Sequence, residues 1–266
     1  MADGGVLIQE VHSHIGTLTL QRPEKRNALS PELLIRIHRA LDAWAQNGDV
    51  RVAVITGAGG KAFSAGYDIG SIPTDITPEI AEIIRSSNPL TLALGSIVDF
   101  PYPTIAMMNG YAYGAGLNLA LCCDFRIAVE NIVVSMPPAK LGVVYPPGGI
   151  RQFIEVVGMP RTREIFLTGR KYEGREVLEM GLVNRLVPAG GLQETVYALA
   201  GEIASNAPLS LRGTKRIMNM FRDALALNGE HEEEAEKIIH QACESRDFIE
   251  GQTAFFEKRV PDFIGR

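Results

Sequence analysis

The sequence predicts an α/β fold with a partly parallel sheet, followed by a helical region. Strand-like runs alternate with glycine-containing loops and helix-like segments as far as Pro188. The run 52–56 is apolar and β-branched and ends at a glycine cluster, which is typical of a strand covered on both faces. After Pro188 helical periodicity dominates. We therefore expect a core over residues 1–188 and a helical region over residues 189–266.

The first 47 residues predict a hairpin and a helix. The runs VLIQEV and GTLTLQR, separated around His14 and Gly16, are β-branched and alternate in polarity, as paired strands do. Ser30 then precedes Pro31 and Glu32, which is the pattern of a helix start with an N-cap, a first-turn proline and a first-turn acid. The apolar face of this helix comprises Leu33, Leu34, Ile37, Leu41 and Trp44.

Later segments continue the alternation. Residues 103–108 predict a buried strand, 114–123 a helix and 125–129 another strand. Residues 210–227 and 232–244 have helical periodicity. Their apolar stripes need a partner surface, so we expect them to pack on the core or on a neighbouring subunit.

Composition narrows the class of function. The net charge of −5 argues against a general grip on nucleic acid. The three cysteines, two of them adjacent at 122 and 123, and the five histidines lack the spacing of a metal site, so we expect no metal. No run approaches the roughly 20 apolar residues that span a bilayer. The acidic start does not resemble a targeting peptide, so the expected location is the cytoplasm.

Two glycine-containing turns stand out before predicted helix starts, at 63–69 (FSAGYDI) and 109–118 (NGYAYGAGLN). Glycine lets backbone approach a ligand closely, and amides at a helix start point outward, so two such amides could bind an oxyanion. The alternative is that these glycines only permit tight turns and close packing. The occurrence of both turns together favours a catalytic role over a purely structural one.

That combination resembles the crotonase (enoyl-CoA hydratase/isomerase) superfamily over essentially the whole chain. The agreeing segments occur in the family's order, at 22–29 (RPEKRNAL), 63–69, 109–116, 123–124, 141–142, 148–149, 167–170 (LTGR), 181–183 and 255–259 (FFEKR). The resemblance implies a ββα spiral core, C-terminal helices that build a trimer or a dimer of trimers, and a coenzyme A thioester as substrate rather than a separate cofactor.

The resemblance also implies roles for individual residues. The amides of Tyr67 and Ala115 would form the oxyanion hole for the thioester carbonyl. Coenzyme A would be held by a set from both ends of the chain: Lys25, Arg26, Ala28, the carbonyl of Ala65, Phe255 and Lys258. The alternative for Lys25 and Lys258 is a solvated surface charge.

Departures from the family pattern indicate the reaction. Hydratases of this family use two glutamates, and the matching positions here are Asn118 and Pro138, neither of which is a general base. Decarboxylation needs no base to remove a carbon-bound proton. The segment 134–145 resembles that of the methylmalonyl-CoA decarboxylases, including a tyrosine where Tyr145 stands. Tyr145 is therefore the candidate for orienting the substrate carboxylate, and its alternative is a loop-capping hydroxyl.

Several alternatives stay open. Tyr67 stands where the decarboxylases have a histidine, and its phenol is either a donor or a pocket wall. Asn118 either binds substrate or satisfies helix backbone. Asp68 and Asp124 are expected to be structural caps. Should Asp68 instead face the acyl group, an atypical hydratase or isomerase becomes plausible, and a non-catalytic acyl-CoA-binding subunit is a third possibility. The stretch 70–101 is expected to supply much of the acyl pocket, and its sequence does not identify the acyl chain.

Overall fold

The computed structural model describes residues 5–68, 88–223 and 226–265. The chain forms two compact units, each assembled from two stretches of sequence. The first comprises Met1–Val134 and Tyr172–Met220, and the second comprises Ser135–Lys171 and Phe221–Arg266. These bounds differ from the expected division at residue 188, which stays a prediction about the family architecture.

The secondary structure is mixed, as predicted. The strands are β1 (Leu7–His12), β2 (Ile15–Leu20), β3 (Val52–Gly57), β4 (Ala62–Ser64), β5 (Thr104–Met108), β6 (Tyr111–Tyr113), β7 (Phe125–Val129), β8 (Val133–Ser135), β9 (Lys171–Glu173) and β10 (Arg185–Val187). The α-helices are α1 (Pro31–Asn47), α2 (Pro89–Asp99), α3 (Ala115–Leu121), α4 (Pro147–Thr168), α5 (Arg175–Glu179), α6 (Leu192–Ala204), α7 (Pro208–Asp223), α8 (Gly229–Cys243) and α9 (Arg246–Glu257). Short 3₁₀ turns lie at Pro23–Lys25, Pro138–Leu141 and Ala189–Gly191.

The main sheet belongs to the first unit and has the order β1-β2-β3-β5-β7-β10. The β1–β2 pair is antiparallel, with Leu7 opposite Leu20, which confirms the predicted hairpin. The other pairs in this sheet are parallel, with Ile15 opposite Val52 in the β2–β3 pair. Every residue of β3 is buried, as expected for a parallel strand covered on both faces.

A second sheet of three-residue strands has the order β4-β6-β8-β9. The β4–β6 pair is parallel, with Ala62 opposite Tyr111. The chain leaves the first unit within β8 and returns to it within β9. The strand-like signal was too short for the sequence to predict these strands, yet β4 and β6 lead directly into the two glycine turns.

Helix α1 begins where predicted, because the Ser30 hydroxyl accepts a hydrogen bond from the Leu33 amide at 3.3 Å. Trp44 packs so closely on β2 that a Cβ at Gly16 would lie 2.6 Å from its ring. Helix α6, the first helix after Pro188, packs on β5, β3 and β7 within the first unit. The region after residue 188 therefore contributes to the core of this unit.

The chain uses one turn geometry twice. Gly114 follows β6 with φ 52° and ψ −122° and precedes α3, and Gly174 follows β9 with φ 49° and ψ −123° and precedes α5. Both conformations lie in a region that only glycine adopts without strain. The repeat of short strand, glycine and short helix is the spiral pattern that the family resemblance implied.

The second unit is largely helical. Its α4 is interrupted at Gly158, which has φ 74° and ψ 164°. The 3₁₀ turn at Pro138–Leu141 packs against α9, since a Cβ at Gly251 would lie 2.5 Å from the Leu141 carbonyl carbon. Among the residues that the structure describes, no helix has the length and apolar character needed to cross a membrane.

Candidate active site

The two predicted oxyanion donors lie in backbone segments of the first unit that contact each other. The first segment, 64–68, is joined to Leu29 by two hydrogen bonds: the Leu29 amide donates to the Gly66 carbonyl at 2.8 Å, and the Asp68 amide donates to the Leu29 carbonyl at 3.0 Å. In a parallel bridge of this kind the residue between the two bonded neighbours directs its own N–H and C=O to the opposite side. The Tyr67 amide therefore points away from Leu29.

Hydrogen bonds from the polar side chains of Ser64 and Asn27 also hold this segment in place. The Ser64 hydroxyl donates to the Asn27 carbonyl at 2.8 Å and accepts from the Gly66 amide at 3.2 Å. The Ala65 amide donates to the Arg26 carbonyl at 2.9 Å. The buried Asn27 amide group donates to the Ala58 and Ala62 carbonyls at 2.9 and 2.8 Å. These bonds connect the segment 64–68 to Arg26 and Asn27, and Asn27 in turn to the end of β3 and the start of β4.

The second segment, which holds Ala115, packs directly on the first. Gly66 has a φ of 95°, and a Cβ there would lie 2.6 Å from the Tyr113 carbonyl oxygen and 3.5 Å from the Ala115 nitrogen. A Cβ at Gly116 would lie 2.6 Å from the Ser64 Cβ. Only glycine permits both approaches. The amide of Asn118 is bonded back to the Gly114 carbonyl at 3.0 Å, so the Ala115 amide precedes the helix's own i to i−4 bonds.

Asp68 is held in an ion pair rather than left to cap a turn. Its Oδ2 atom lies 2.7 Å from Arg22 Nη2 and 3.7 Å from Lys25 Nζ. The Asp68 and Arg22 side chains are about nine-tenths buried, whereas the Lys25 side chain is 54% exposed. The expectation of a structural role for Asp68 is supported, through an ion pair that the sequence did not predict.

The Tyr67 side chain is 43% exposed. Partial burial, and secondarily the charge of Asp68, raises the pKa of its phenol above the ordinary value of 10.0. The phenol is therefore protonated throughout the neutral range. It can donate a hydrogen bond, or line a pocket as an aromatic wall.

Asn118 is fully buried within α3.

Asp124, the second acid of the motifs after Asp68, accepts bonds from the Thr104 amide and hydroxyl at 2.7 and 2.9 Å and from Lys215 Nζ at 2.6 Å. Lys215 Nζ also donates to the Tyr102 carbonyl at 2.9 Å. Asp124 thus organises the start of β5 and anchors α7, which confirms its expected structural role.

The predicted coenzyme A residues of the first unit lie along the same loops. Lys25 and Arg26 are exposed, and Arg26 has φ 56° at the end of the first 3₁₀ turn. The Ala28 carbonyl accepts a bond from Arg22 Nη1 at 2.6 Å. Ala65 lies in the 64–68 segment and is partly exposed. Four predicted ligands are thus neighbours of the Tyr67 segment, and their binding role stays a prediction.

The remaining predicted residues belong to the second unit. Pro138 is buried at the start of the 3₁₀ turn. Tyr145 is half-buried just before α4, with its ring centroid 5.6 Å from that of Phe166. Phe255 is 57% exposed at the end of α9, and Lys258 has φ 56° as its C-cap. Their roles in binding or catalysis stay predictions.

Sequence reasoning missed three residues of this framework: Arg22, Asn27 and Ser64. Arg22 and Asn27 lie in the motif 22–29, for which the family resemblance implies only contacts to coenzyme A. No local signal marks a buried arginine or asparagine whose partners are 31 to 46 positions away. Within the described ranges, no group of three or more His, Cys, Asp or Glu side chains is placed to hold a metal ion.

The fold and the paired glycine turns define the class of acyl-coenzyme A enzymes with a crotonase core, and the comparisons agree. The family model for enoyl-CoA hydratase/isomerase matches residues 10–266. A provisionally named enoyl-CoA hydratase of Thermus thermophilus is 37% identical over 261 residues, covering 97% of this chain and 100% of the relative. A carnitinyl-CoA dehydratase of Salmonella typhi is 34% identical over 252 residues, covering 94% of each.

A crystal structure of methylmalonyl-CoA decarboxylase superposes with a TM-score of 0.89 at 25% identity, covering 99% of this chain and 100% of that one. The chain therefore belongs to the enoyl-CoA hydratase/isomerase family, the crotonase superfamily. It is a crotonase-family acyl-CoA enzyme.

Proposed function

We propose that the protein decarboxylates a malonyl-type coenzyme A thioester such as methylmalonyl-CoA. The observation that carries the proposal is the identity of two residues. Where the family's hydratases have catalytic glutamates, this chain has Asn118 and Pro138. Neither a carboxamide nor a proline can take a proton from water near neutral pH. The reaction has to proceed without that pair.

Decarboxylation meets this requirement. The bond between the α-carbon and the carboxylate breaks, carbon dioxide leaves, and the electron pair of that bond forms a thioester enolate. The amides of Tyr67 and Ala115 would bind the enolate oxygen, and one such donor typically supplies about 3 kcal/mol of transition-state stabilisation. A proton then adds to the α-carbon and completes the acyl-CoA product.

Tyr145 would orient the departing carboxylate. Its ring packs on Phe166, which in turn contacts Phe153 at 4.8 Å, so the tyrosine is held by an aromatic cluster of the second unit. An apolar setting of this kind favours loss of a carboxylate whose charge disperses in the transition state. Tyr67 has two candidate roles, as proton donor to the enolate carbon or as pocket wall.

A second candidate is elimination or addition of water across the α,β bond of an acyl-CoA. Its support is that relatives 37% and 34% identical are named enoyl-CoA hydratase and carnitinyl-CoA dehydratase. In this chain the reaction would need a base other than the missing glutamates. Asp68 is already paired with Arg22 at 2.7 Å, which disfavours it. A third candidate is acyl-CoA binding without turnover.

The deciding experiment incubates the purified protein separately with methylmalonyl-CoA, crotonyl-CoA and carnitinyl-CoA. Carbon dioxide release reports decarboxylation, and the enoyl absorbance reports hydration or dehydration. Tyr145→Phe is expected to lower the decarboxylation rate. Tyr197→Phe is the matched control, because it removes a hydroxyl bonded to Thr17 Oγ1, and neither residue is among the predicted site residues. Turnover of crotonyl-CoA or carnitinyl-CoA without carbon dioxide release would refute the proposal, and binding without any turnover would favour the third candidate.

We also propose that the chain self-associates as a trimer or a dimer of trimers. Helix α7 exposes Ile217, Met218 and Phe221 by 56, 57 and 76%. Apolar side chains at this density are typical of a surface that another chain covers. Light scattering on a sizing column should give a mass of three or six chains. Ile217→Glu should lower that mass, and a monomeric wild type would contradict the proposal.

A further inference from the structure

Arg22 connects the two backbone segments that orient the Tyr67 amide. Its Nη1 atom donates to the Ala28 carbonyl at 2.6 Å, and its Nη2 atom donates to Asp68 Oδ2 at 2.7 Å. Ala28 precedes Leu29, and Asp68 follows Tyr67. The guanidinium therefore spans the Leu29–Tyr67 bridge from one segment to the other.

The backbone of Arg22 is held as well, through the buried Asn27 side chain. The Arg22 amide donates to Asn27 Oδ1 at 3.1 Å, and the Asn27 amide group bonds the Ala58 and Ala62 carbonyls. Arg22 is 8% exposed and Asn27 fully buried. A buried, planar guanidinium that donates two hydrogen bonds fixes the direction of both acceptors, which a single ammonium cannot do.

The second cation near Asp68 makes a different contribution. Lys25 Nζ lies 3.7 Å from Asp68 Oδ2, beyond hydrogen-bond distance, and its side chain is half exposed. Exposed ion pairs of this length contribute little to conformation. Of these two cations, Arg22 is therefore the one that orients the Asp68 carboxylate.

We propose that Arg22 and Asp68 are positioning residues that hold the Tyr67 amide in the direction required to bind a thioester oxygen. This inference rests on the proposed oxyanion role of that amide. The pair does not touch the reacting atoms. It prevents the 64–68 segment from rotating about the bridge, so its loss weakens the hydrogen bond to the thioester oxygen more than it weakens binding of the coenzyme A moiety.

The test uses Asp68→Asn and Arg22→Lys in the full-length protein with two readouts. The first is the split between kcat and KM for the substrate that the wild type turns over. The second is the infrared stretch of the ¹³C-labelled thioester carbonyl of bound propionyl-CoA, which falls in frequency when the oxygen accepts strong hydrogen bonds. We expect kcat to fall about 10-fold or more with KM within about threefold, because the lost interaction acts mainly in the transition state.

The carbonyl stretch should shift back toward its solution value in both variants. The matched control is the exposed Arg36–Glu32 pair on α1, where Glu32→Gln should change neither readout. Asp68→Glu keeps the charge but displaces it by one methylene, and it is measured alongside in case Asp68→Asn does not fold. A bound carbonyl with the wild-type frequency in the folded variants would overturn the inference.

The inference and the proposed function can fail separately. A wild type that shifts the carbonyl stretch without consuming methylmalonyl-CoA refutes decarboxylation and leaves the positioning role to be decided by the variants. A wild type that binds propionyl-CoA without shifting the stretch refutes the oxyanion role, and the positioning inference with it.

Discussion

Gly116 packs against Ser64 so closely that a methyl group on Gly116 would lie 2.6 Å from Ser64 Cβ and 2.7 Å from the Ser64 carbonyl oxygen. This contact sets the separation between the segments that carry the Ala115 and Tyr67 amides. Backbone atoms form part of the contact, so a rotamer change cannot relieve it. The spacing of the proposed oxyanion donors is therefore determined by the absence of a side chain.

Gly116→Ala should consequently push the two segments apart. We expect a loss of about 1–3 kcal/mol of stability from overpacking and a fall in kcat of roughly 10- to 1000-fold as one donor moves out of reach. Thermal unfolding and steady-state kinetics measure both. The matched control is Gly201→Ala in α6, where a Cβ meets nothing within 4 Å. An active Gly116→Ala variant would show that the spacing is not critical.

Lys215→Met should destabilise the first unit. The Lys215 side chain is 5% exposed and its ammonium bonds both Asp124 Oδ2 and the Tyr102 carbonyl, so its removal leaves both oxygens without this donor. Because Asp124 is 30% exposed and water can partly replace the lysine, we expect a cost of about 1–3 kcal/mol. Urea unfolding measures it. Lys61→Met, at an exposed position, should change stability by less than about 0.5 kcal/mol, and equal losses in the two variants would contradict the assignment.

Tyr67 should make stability depend on pH in the alkaline range. The pKa of its phenol is raised in the folded protein, so the folded state keeps this proton at a pH where the unfolded chain has lost it. The group therefore has no effect below the unfolded pKa of about 10 and lowers stability as the pH rises above it. The unfolding free energy of the wild type minus that of Tyr67→Phe should fall as the pH rises above that value. A difference that stays constant to about pH 11 would contradict the shift.

The three thiols should differ in reactivity. Cys122 and Cys123 are buried and Cys243 is exposed, and burial raises the pKa of the Cys123 thiol to about 12. At pH 8 the thiolate fraction of Cys123 is on the order of 10⁻⁴, and the thiolate is the reactive form. A chromogenic disulfide should thus modify one thiol in the native protein and three in denaturant. Rapid modification of two or three native thiols would show that the region around Cys123 opens.

Much of the main sheet could be predicted from the sequence, because its strands are long enough for a pattern. Residues 52–56 and 125–129 gave buried strands at almost the observed bounds, and Ser30 located the start of α1. Helices predicted at 210–227 and 232–244 occur at Pro208–Asp223 and Gly229–Cys243, with residues 224–225 outside the described part. Local signals were sufficient wherever the partner surface was simply apolar.

The three-residue strands and the Arg22–Asp68 pair could not be predicted in this way. A strand of three residues, such as β4 or β6, has too few positions to show a period of two and is stabilised by its neighbours. Helix α2 begins within the stretch 70–101 that offered no motif, capped by Asn88. The expectation that this stretch supplies the acyl pocket also concerns residues 70–87, which lie outside the described residues. Long-range polar contacts leave no local trace in the sequence.

The matching turns at Gly114 and Gly174 have a practical consequence for altering this protein. The same backbone shape is followed by Ala115-Gly116 in one case and by Arg175-Glu176 in the other, and Arg175 is exposed and paired with Glu179. The turn at Gly174 can therefore serve as a control for the turn at Gly114. Identical changes made in each turn separate what the shape of the turn demands from what acyl-CoA chemistry demands, within a single chain.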